Sequence, residues 1–391
     1  MPKTSVIKPQ YGFPLFTQSS STDFLVSGEK LRVTDLWGLW HYILKGYVKR
    51  HGKKKIDYSF LLSLIEQAQY FYSAATKAPL KSQPLLYYYS FLNAAKVFIT
   101  LRNPTLHTSG LEYNHGIDSC PISAGTKLST TTVQVKSLID NGGNPQKISV
   151  ANRLSIELGD NMKKEIPLVP GNDNGPWIIS VKSLFQYCIG IHRTVSETFK
   201  EKEHFVRLID PELNKTGRNL LFKAKLDAPP SVRTSLTNAG YDIIHDSHTN
   251  QSSVNFKYMA LHTRLNKGDF KGLGDIVRGS GIWYYSTVDE HRLYISSKSL
   301  IKKAGEDSYS LDNRTPGNTY LRLSSATVIY YLMFFLGSVT RYHPYMFESM
   351  LSDKEIWMIG EFLNTQPYQF INTLVSKLLS TPVYGSRMPV L

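Results

Sequence analysis

Apolar side chains fall at spacings of three and four along Ser59 to Ala75. Leu61, Ile65, Ala68, Tyr72 and Ala75 share one face, which predicts an amphipathic helix. Pro79 stops it. A second helix is expected to open at Ser82, a residue type that caps N-termini. Pro84 then falls in the first turn, where its missing amide proton costs nothing. From Leu85 to Leu101 the chain is apolar or aromatic nearly all round, and only Asn93 and Lys96 break the run strongly. Such a helix is buried on most sides, so it is expected at the centre of the molecule. Arg102 stands at its C-terminal end, where a cation meets exposed carbonyls, and Pro104 forbids continuation. At about 17 residues, with two polar groups inside, the run is short and polar for a membrane span, so no span is expected.

The same patterning predicts a helix over Val33 to Tyr47, with Trp37, Trp40, Ile43 and Leu44 facing the core. A strongly apolar helix is expected over Ala326 to Tyr342, and one or two amphipathic helices over Lys354 to Leu379, interrupted at Pro367. Residues 1–25 read as an irregular lead packed by isolated aromatics such as Tyr11, Phe13 and Phe16. Between Pro121 and Glu165 short segments rich in Ser, Thr, Asn and Gly suit strands joined by turns. Trp177 to Val181 and Leu184 to Ile191 carry a more helical pattern. Asn219 to Leu226, Met259 to Arg264 and Ile282 to Ser297 look strand-like. Neither apolar helix can bury all its faces on sequence neighbours, so the two are expected to pack together across the intervening region. The implied fold class is α+β, a helical core formed by N-terminal and C-terminal helices around a mixed, partly β-rich central region. The expected boundaries are residues 1–120, 121–320 and 321–391, the last packing on the N-terminal helices.

Two blocks of sequence carry a resemblance. The first is Tyr70-Phe-Tyr-Ser-Ala-Ala-Thr-Lys-Ala-Pro-Leu, followed by Pro84-Leu-Leu-Tyr-Tyr-Tyr-Ser-Phe-Leu-Asn-Ala-Ala-Lys and His115-Gly-Ile. The second is Tyr331-Leu-Met-Phe-Phe-Leu-Gly-Ser-Val-Thr-Arg-Tyr-His-Pro-Tyr, a late helix ending in Arg-Tyr-x-Pro. Together they resemble the bacterial YaaC-like proteins. The resemblance implies a cytoplasmic bacterial protein and brings no settled reaction with it.

Charge adds a direction. The chain carries 45 basic against 31 acidic side chains, a net +14, which favours polyanionic partners such as nucleic acid or anionic membrane. The densest basic cluster is Lys45, Lys49, Arg50, Lys53, Lys54 and Lys55, able to neutralise several phosphates or to serve as a solvated linker. Cys120 and Cys188 lack paired spacing, so neither a disulfide framework nor a cysteine zinc site is suggested. No apolar run follows the first charges, so no secretory signal is expected and the cytoplasm is the expected compartment.

The sharpest chemical candidate is Arg102-Asn-Pro-Thr-Leu-His107. It resembles the motif of HEPN-type ribonucleases, which implies Arg102 holding a scissile phosphate and His107 moving protons without metal. Asn103, His115 and Asp118 are candidate supporting residues, and Arg341 with Tyr342 ends the other apolar helix in the same manner. The alternative is that both arginines satisfy helix carbonyls. Asp242, His245, Asp246 and His248 form a cluster of metal-ligand type whose spacing allows a shared site on a turn or helix, with a polar surface loop the better reading, and Lys267 to Gly281 offers glycines and cations without a nucleotide-binding fingerprint. No metal or cofactor is expected. Two partner classes therefore stand: RNA or another polyanion on the basic surface, and a second copy or protein partner on tyrosine-rich helical faces, with 24 tyrosines in the chain.

Overall fold

The computed structural model describes residues 5–7, 31–51, 58–104, 115, 117–119, 126–135, 149–158, 177–216, 219–238, 242–247, 251–259, 282–286, 291–296, 323–345, 351–379 and 383–385. Among them, helices α1 (Leu36–His51), α2 (Tyr58–Lys77) and α3 (Gln83–Arg102) open the helical part. Shorter helices α4 (Val150–Leu158), α5 (Val181–Gln186), α6 (His192–Phe199) and α7 (Arg233–Asn238) follow, and α8 (Ser325–Tyr342) and α9 (Asp353–Leu379) close it. The architecture is α+β.

Helix α3 is the axis of the core because nearly every side is apolar. Every residue from Ser90 to Leu101 is buried. Its neighbours α2, α4, α8 and α9 all touch it, so N-terminal and C-terminal helices share one core, as the sequence pattern predicts. On α2 the face of Leu61, Ile65, Ala68, Tyr72 and Ala75 is buried as its spacing requires. Ser90 Oγ donates to the Ala68 carbonyl at 2.7 Å, which satisfies a buried hydroxyl where two helices approach closely. Phe91 of α3 stacks on Phe370 of α9, with ring centroids 4.1 Å apart and planes at 21°. Tyr330 of α8 lies on Phe370 at 6.1 Å. Helix α8 comes close through Gly337: a Cβ there would stand 3.2 Å from Tyr88 Cβ and 3.3 Å from the Pro84 carbonyl oxygen.

The largest sheet is antiparallel. It contains β6 (Phe205–Thr216), β7 (Asn219–Asp227), β8 (Asp242–Asp246), β9 (Gln251–Met259), β10 (Ile282–Ser286) and β11 (His291–Ser296) in the order β10-β11-β6-β7-β9-β8. The short β1 (Ser5–Ile7) pairs with the far end of β6. A parallel pair joins β2 (Leu31–Val33) to β12 (Val383–Gly385), tying residues near the two chain ends together. A third, small sheet holds β3 (Ile117–Ser119), β4 (Thr132–Val135) and β5 (Trp177–Ser180).

Several elements differ from the sequence pattern, each for a physical reason. Val150–Leu158 is helical where strands and turns are expected. Val150, Ala151, Leu154 and Leu158 bury one side against α3 and α8, while Arg153 and Glu157 pair at 2.5 Å across one turn. Trp177–Ser180 is a strand, because its four residues find cross-strand partners Val135 to Thr132, which a short apolar run does not reveal. Pro367 does not interrupt α9. It is buried within one continuous helix, and packing on both sides outweighs the lost backbone hydrogen bond. Ser82 makes no side-chain cap, because its backbone is already helical (φ −94°, ψ −20°) where a capping residue is extended, and amides 82 and 83 donate to the Pro79 carbonyl at 2.8 and 3.2 Å. The first three residues of the Val33 to Tyr47 expectation lie outside α1, which instead runs on to His51, with Asp35 accepting from the Trp37 and Gly38 amides.

Candidate functional site

The polar groups of the helical core gather where α3 begins and α8 ends. Arg341 in the last turn of α8 reaches across to α3, and its Nη1 donates to Tyr89 Oη at 2.7 Å. Its guanidinium also stands 5.0 Å from the centroid of the Tyr342 ring. Thr340 Oγ1 donates to the Lys81 carbonyl at 3.1 Å, fastening the same helix end to the turn before α3. Tyr342 is 63% exposed there, which leaves an aromatic face open beside a cation, and Tyr345, next along the chain, is 68% exposed.

One helical position from Tyr89, Tyr88 turns inward. Its hydroxyl meets His115 Nδ1 at 2.6 Å, and its ring packs edge-on against Phe334 and beside Tyr330. His115 itself is fixed at its backbone, where its carbonyl accepts from the Ala151 amide at the start of α4 at 3.2 Å. Burial, then the charges of Lys96 and Arg341, push the His115 pKa down, and the Asp118 carboxylate opposes them only in part. The imidazole is therefore neutral at pH 7. Burial raises Tyr88 and Tyr330, so both phenols keep their protons, and burial lowers Lys96. The Tyr330 hydroxyl is wholly buried beside Tyr88, close enough that each phenol acts on the other's ionisation.

The charges of Lys96, Arg341 and Asp118 act on the half-buried His115 ring, and the exposed Tyr342 ring lies against Arg341. Among the described residues that act on His115, two cations stand against one carboxylate, a balance that suits a negatively charged group.

The residues singled out from sequence divide into two groups. Arg341 and Tyr342 adjoin at this corner, His115 is held by Tyr88 beside the Tyr89 that holds Arg341, and the Asp118 charge acts on the His115 ring. Arg102 does not. It lies 13 positions along α3 from Tyr89, about 20 Å away along the axis. There its Nε stands 3.9 Å from Glu157, which also holds Arg153. Asn103 ends the helix, its amide donating to the Ile99 carbonyl at 2.8 Å. His107 and Lys53 to Lys55 lie outside the described residues. Lys45 is exposed on α1, and Lys49 and Arg50 occupy the last two turns of that helix. Asp242, His245 and Asp246 lie on strand β8 rather than a turn or helix, so His245 faces opposite to the two aspartates, and His248 is outside the described residues. Among the described residues no group of three or more His, Cys, Asp or Glu gathers to hold a metal.

Tyr88, Tyr89, Lys96 and Tyr330 belong to the corner and were not singled out from the sequence as site residues. The signal was present in Tyr87-Tyr88-Tyr89 and in Lys96, since a core position needs neither a phenol hydroxyl nor an ammonium and each demands a partner when buried.

A family model described as YaaC-like Protein matches residues 39–378. The chain belongs to the YaaC-like family. The match runs from α1 into the last turn of α9, so both helical ends and the region between them lie within it. No curated protein and no solved structure matches the chain. In this YaaC-like chain the two sequence blocks that carry the family resemblance, Tyr70 to His115 and Tyr331 to Tyr345, touch at the Tyr88, Tyr89, His115 and Arg341 corner. No described helix is long and apolar enough to cross a membrane.

Proposed function

We propose that this YaaC-like protein binds RNA, as a polyanion, through a basic surface centred on the end of α8. The reading is carried by one observation: the exposed ring of Tyr342 lies against the Arg341 guanidinium, with exposed Tyr345 close behind it in sequence, on a chain with net charge +14. Phosphates supply affinity through cations, and single-stranded bases stack on tyrosine faces without sequence preference. Lys45 and its basic neighbours extend the same attraction over α1. Replacing Arg341 by Gln should weaken RNA binding uniformly across sequences and reduce the salt slope by about 0.7 for one lost phosphate contact. Tyr342→Ala should cost about 1–3 kcal/mol if one base stacks there. Equal affinity of both variants and the parent would place RNA elsewhere or nowhere.

The HEPN-like ribonuclease reading, with Arg102 and His107 as its pair, rests on their spacing alone, and Arg102 lies within reach of a carboxylate that competes with phosphate. A protein-docking role has one observation in its favour, the adjacent exposed Ile356 and Trp357 on the first turn of α9, at 38% and 49%. Sedimentation across a wide concentration range tests it: a strictly monomeric species would remove self-association.

A further inference from the structure

The turn between α2 and α3 is a surface point at which two later helices arrive. The turn itself is fixed from within: the Ser82 and Gln83 amides donate to the Pro79 carbonyl, and Gln83 Nε2 donates to the Ala78 carbonyl at 2.9 Å. The end of α8 is fastened to it, Thr340 Oγ1 donating to the Lys81 carbonyl at 3.1 Å. Helix α9 meets the same turn at Gly360, where a Cβ would stand 4.0 Å from Leu80 Cδ1. Cations and aromatic rings gather around it in consequence. Lys77 in the last turn of α2, Lys81 in the turn and Arg341 after Thr340 are all exposed. Tyr342 lies against the Arg341 guanidinium with its ring open to solvent. Ile356 and Trp357 stand four and three positions before Gly360, so they share the face of α9 that meets Leu80. Both are exposed, and adjacent apolar side chains left open to water mark a binding surface.

We propose that Lys77 and Lys81 bind phosphates of a single-stranded RNA whose bases stack on Tyr342 and Trp357, carried by the two helices that meet this turn. This rests on the RNA reading and deepens it, since it excludes a duplex as the substrate and adds Lys77, Lys81 and Trp357 to the contacts at the end of α8.

The chemistry separates a single strand from a duplex. Along a duplex each base is covered by its neighbours, so an aromatic platform gains nothing there, whereas an unpaired base offers its faces for stacking. Lysine places a compact charge on a flexible stem, which suits Lys77 and Lys81 to a backbone of variable path. Arg341 is more constrained, because it donates to Tyr89 Oη at 2.7 Å and lies against the Tyr342 ring. Carboxylates bound the track. Lys354 is paired with Glu197 at 3.3 Å, and Glu355 accepts from the Ser352 amide and hydroxyl at 2.8 and 2.9 Å, so both side chains are engaged where α9 begins. Glu361, beside Gly360, is half-buried, and exposed Asp353 stands one turn beyond Trp357. Asp353 repels phosphates there, so the strand turns away from α9 past Trp357.

The test measures the affinity of the intact chain for three probes of about 12 units at about 50 mM salt: a single-stranded RNA, the same sequence as a duplex, and an abasic strand with the same backbone. The parent should bind the single-stranded RNA about tenfold or more tightly than either of the others. Trp357→Ala should lose about tenfold on the single-stranded RNA and nothing on the abasic strand, and Trp357→Phe should keep most of the parent affinity. Lys77→Gln and Lys81→Gln should weaken both strands alike, each making the slope of log affinity against log salt shallower by about 0.7. Asp353→Asn should tighten both strands. Equal parent affinity for the RNA and the abasic strand would overturn the proposal, and that comparison needs no variant to fold. If Arg341→Gln weakens RNA binding while the Trp357→Ala, Lys77→Gln and Lys81→Gln variants bind like the parent, the track across the turn is wrong and the RNA surface stands. If the parent binds none of the probes, the RNA reading fails and this proposal with it. If Trp357→Ala dissociates a self-associating parent and leaves RNA affinity unchanged, the Ile356 and Trp357 patch is a protein contact and the stacking role is overturned.

Discussion

Truncating Phe370 to Ala removes the ring around which three helices meet. The side chain is 0% exposed, stacked on Phe91 at 4.1 Å and lying on Tyr330 at 6.1 Å, so α3, α8 and α9 all lose contact at once. A buried Phe→Ala change costs about 3–5 kcal/mol, and the site has little freedom to collapse because Phe91 and Tyr330 are themselves wholly buried. The upper half of that range, about 4–5 kcal/mol, is therefore expected. Phe370→Leu keeps most of the volume and loses the ring contacts, worth about 0.5–1.5 kcal/mol each beyond their area, so about 1–3 kcal/mol is expected for it. Urea unfolding followed by fluorescence and far-ultraviolet circular dichroism measures both, provided the two probes coincide and the slope with denaturant is unchanged. An Ala variant within about 1 kcal/mol of the parent would refute the shared core of N-terminal and C-terminal helices, as would a Leu variant less stable than the Ala one.

Gly337→Val should destabilise by about 2 kcal/mol or more, read from the urea midpoint, because its Cβ meets the Pro84 carbonyl at 3.3 Å and the branch adds atoms to a contact already closed. Stability should fall as pH is lowered from 7.5 to 5: burial lowers the folded pKa of His115 and His192 below the ordinary 6.5, so the unfolded chain takes up protons first and stability is lost through that window. The His115→Gln variant should show a shallower fall over the same range, and an unchanged slope would refute the assignment. Arg102→Ala should cost less than about 1 kcal/mol, since its pair with Glu157 is long and Arg102 is 39% exposed. Cleavage of RNA in EDTA by the parent but not by this variant would revive the ribonuclease reading.

The helical core was legible because its periodicity is strong. Leu61 through Ala75, the all-round apolar run of α3 and the run of α8 declare burial without any knowledge of their neighbours. Strand β5 and helix α4 were not, for opposite reasons: Trp177–Ser180 is too short to show a period, while the spacing of Val150, Leu154 and Leu158 was hidden among polar turn residues. Strand β8 is a largely exposed edge strand on its neighbour β9, so no alternation of apolar and polar positions marks it, and β6 depends in part on β11, far along the chain, which a single sequence does not display. For the site, His115 and Arg341 were visible as chemistry, whereas Tyr88 and Lys96 were read as core because apolar neighbours on every side of α3 mask a buried polar group. The pairing of Arg341 with Tyr89 is a tertiary fact, joining residues 252 positions apart.

The RNA reading is tested most directly by the affinity of the intact chain for a single-stranded RNA measured over a salt series, from about 50 to 200 mM. Contacts with several phosphates should give a linear fall of log affinity with log salt, of slope about −0.7 for each phosphate neutralised. Arg341→Gln should make that slope shallower by about one such step. Absence of binding at the lowest salt, or an affinity indifferent to salt and to Arg341, would contradict RNA recognition at the end of α8.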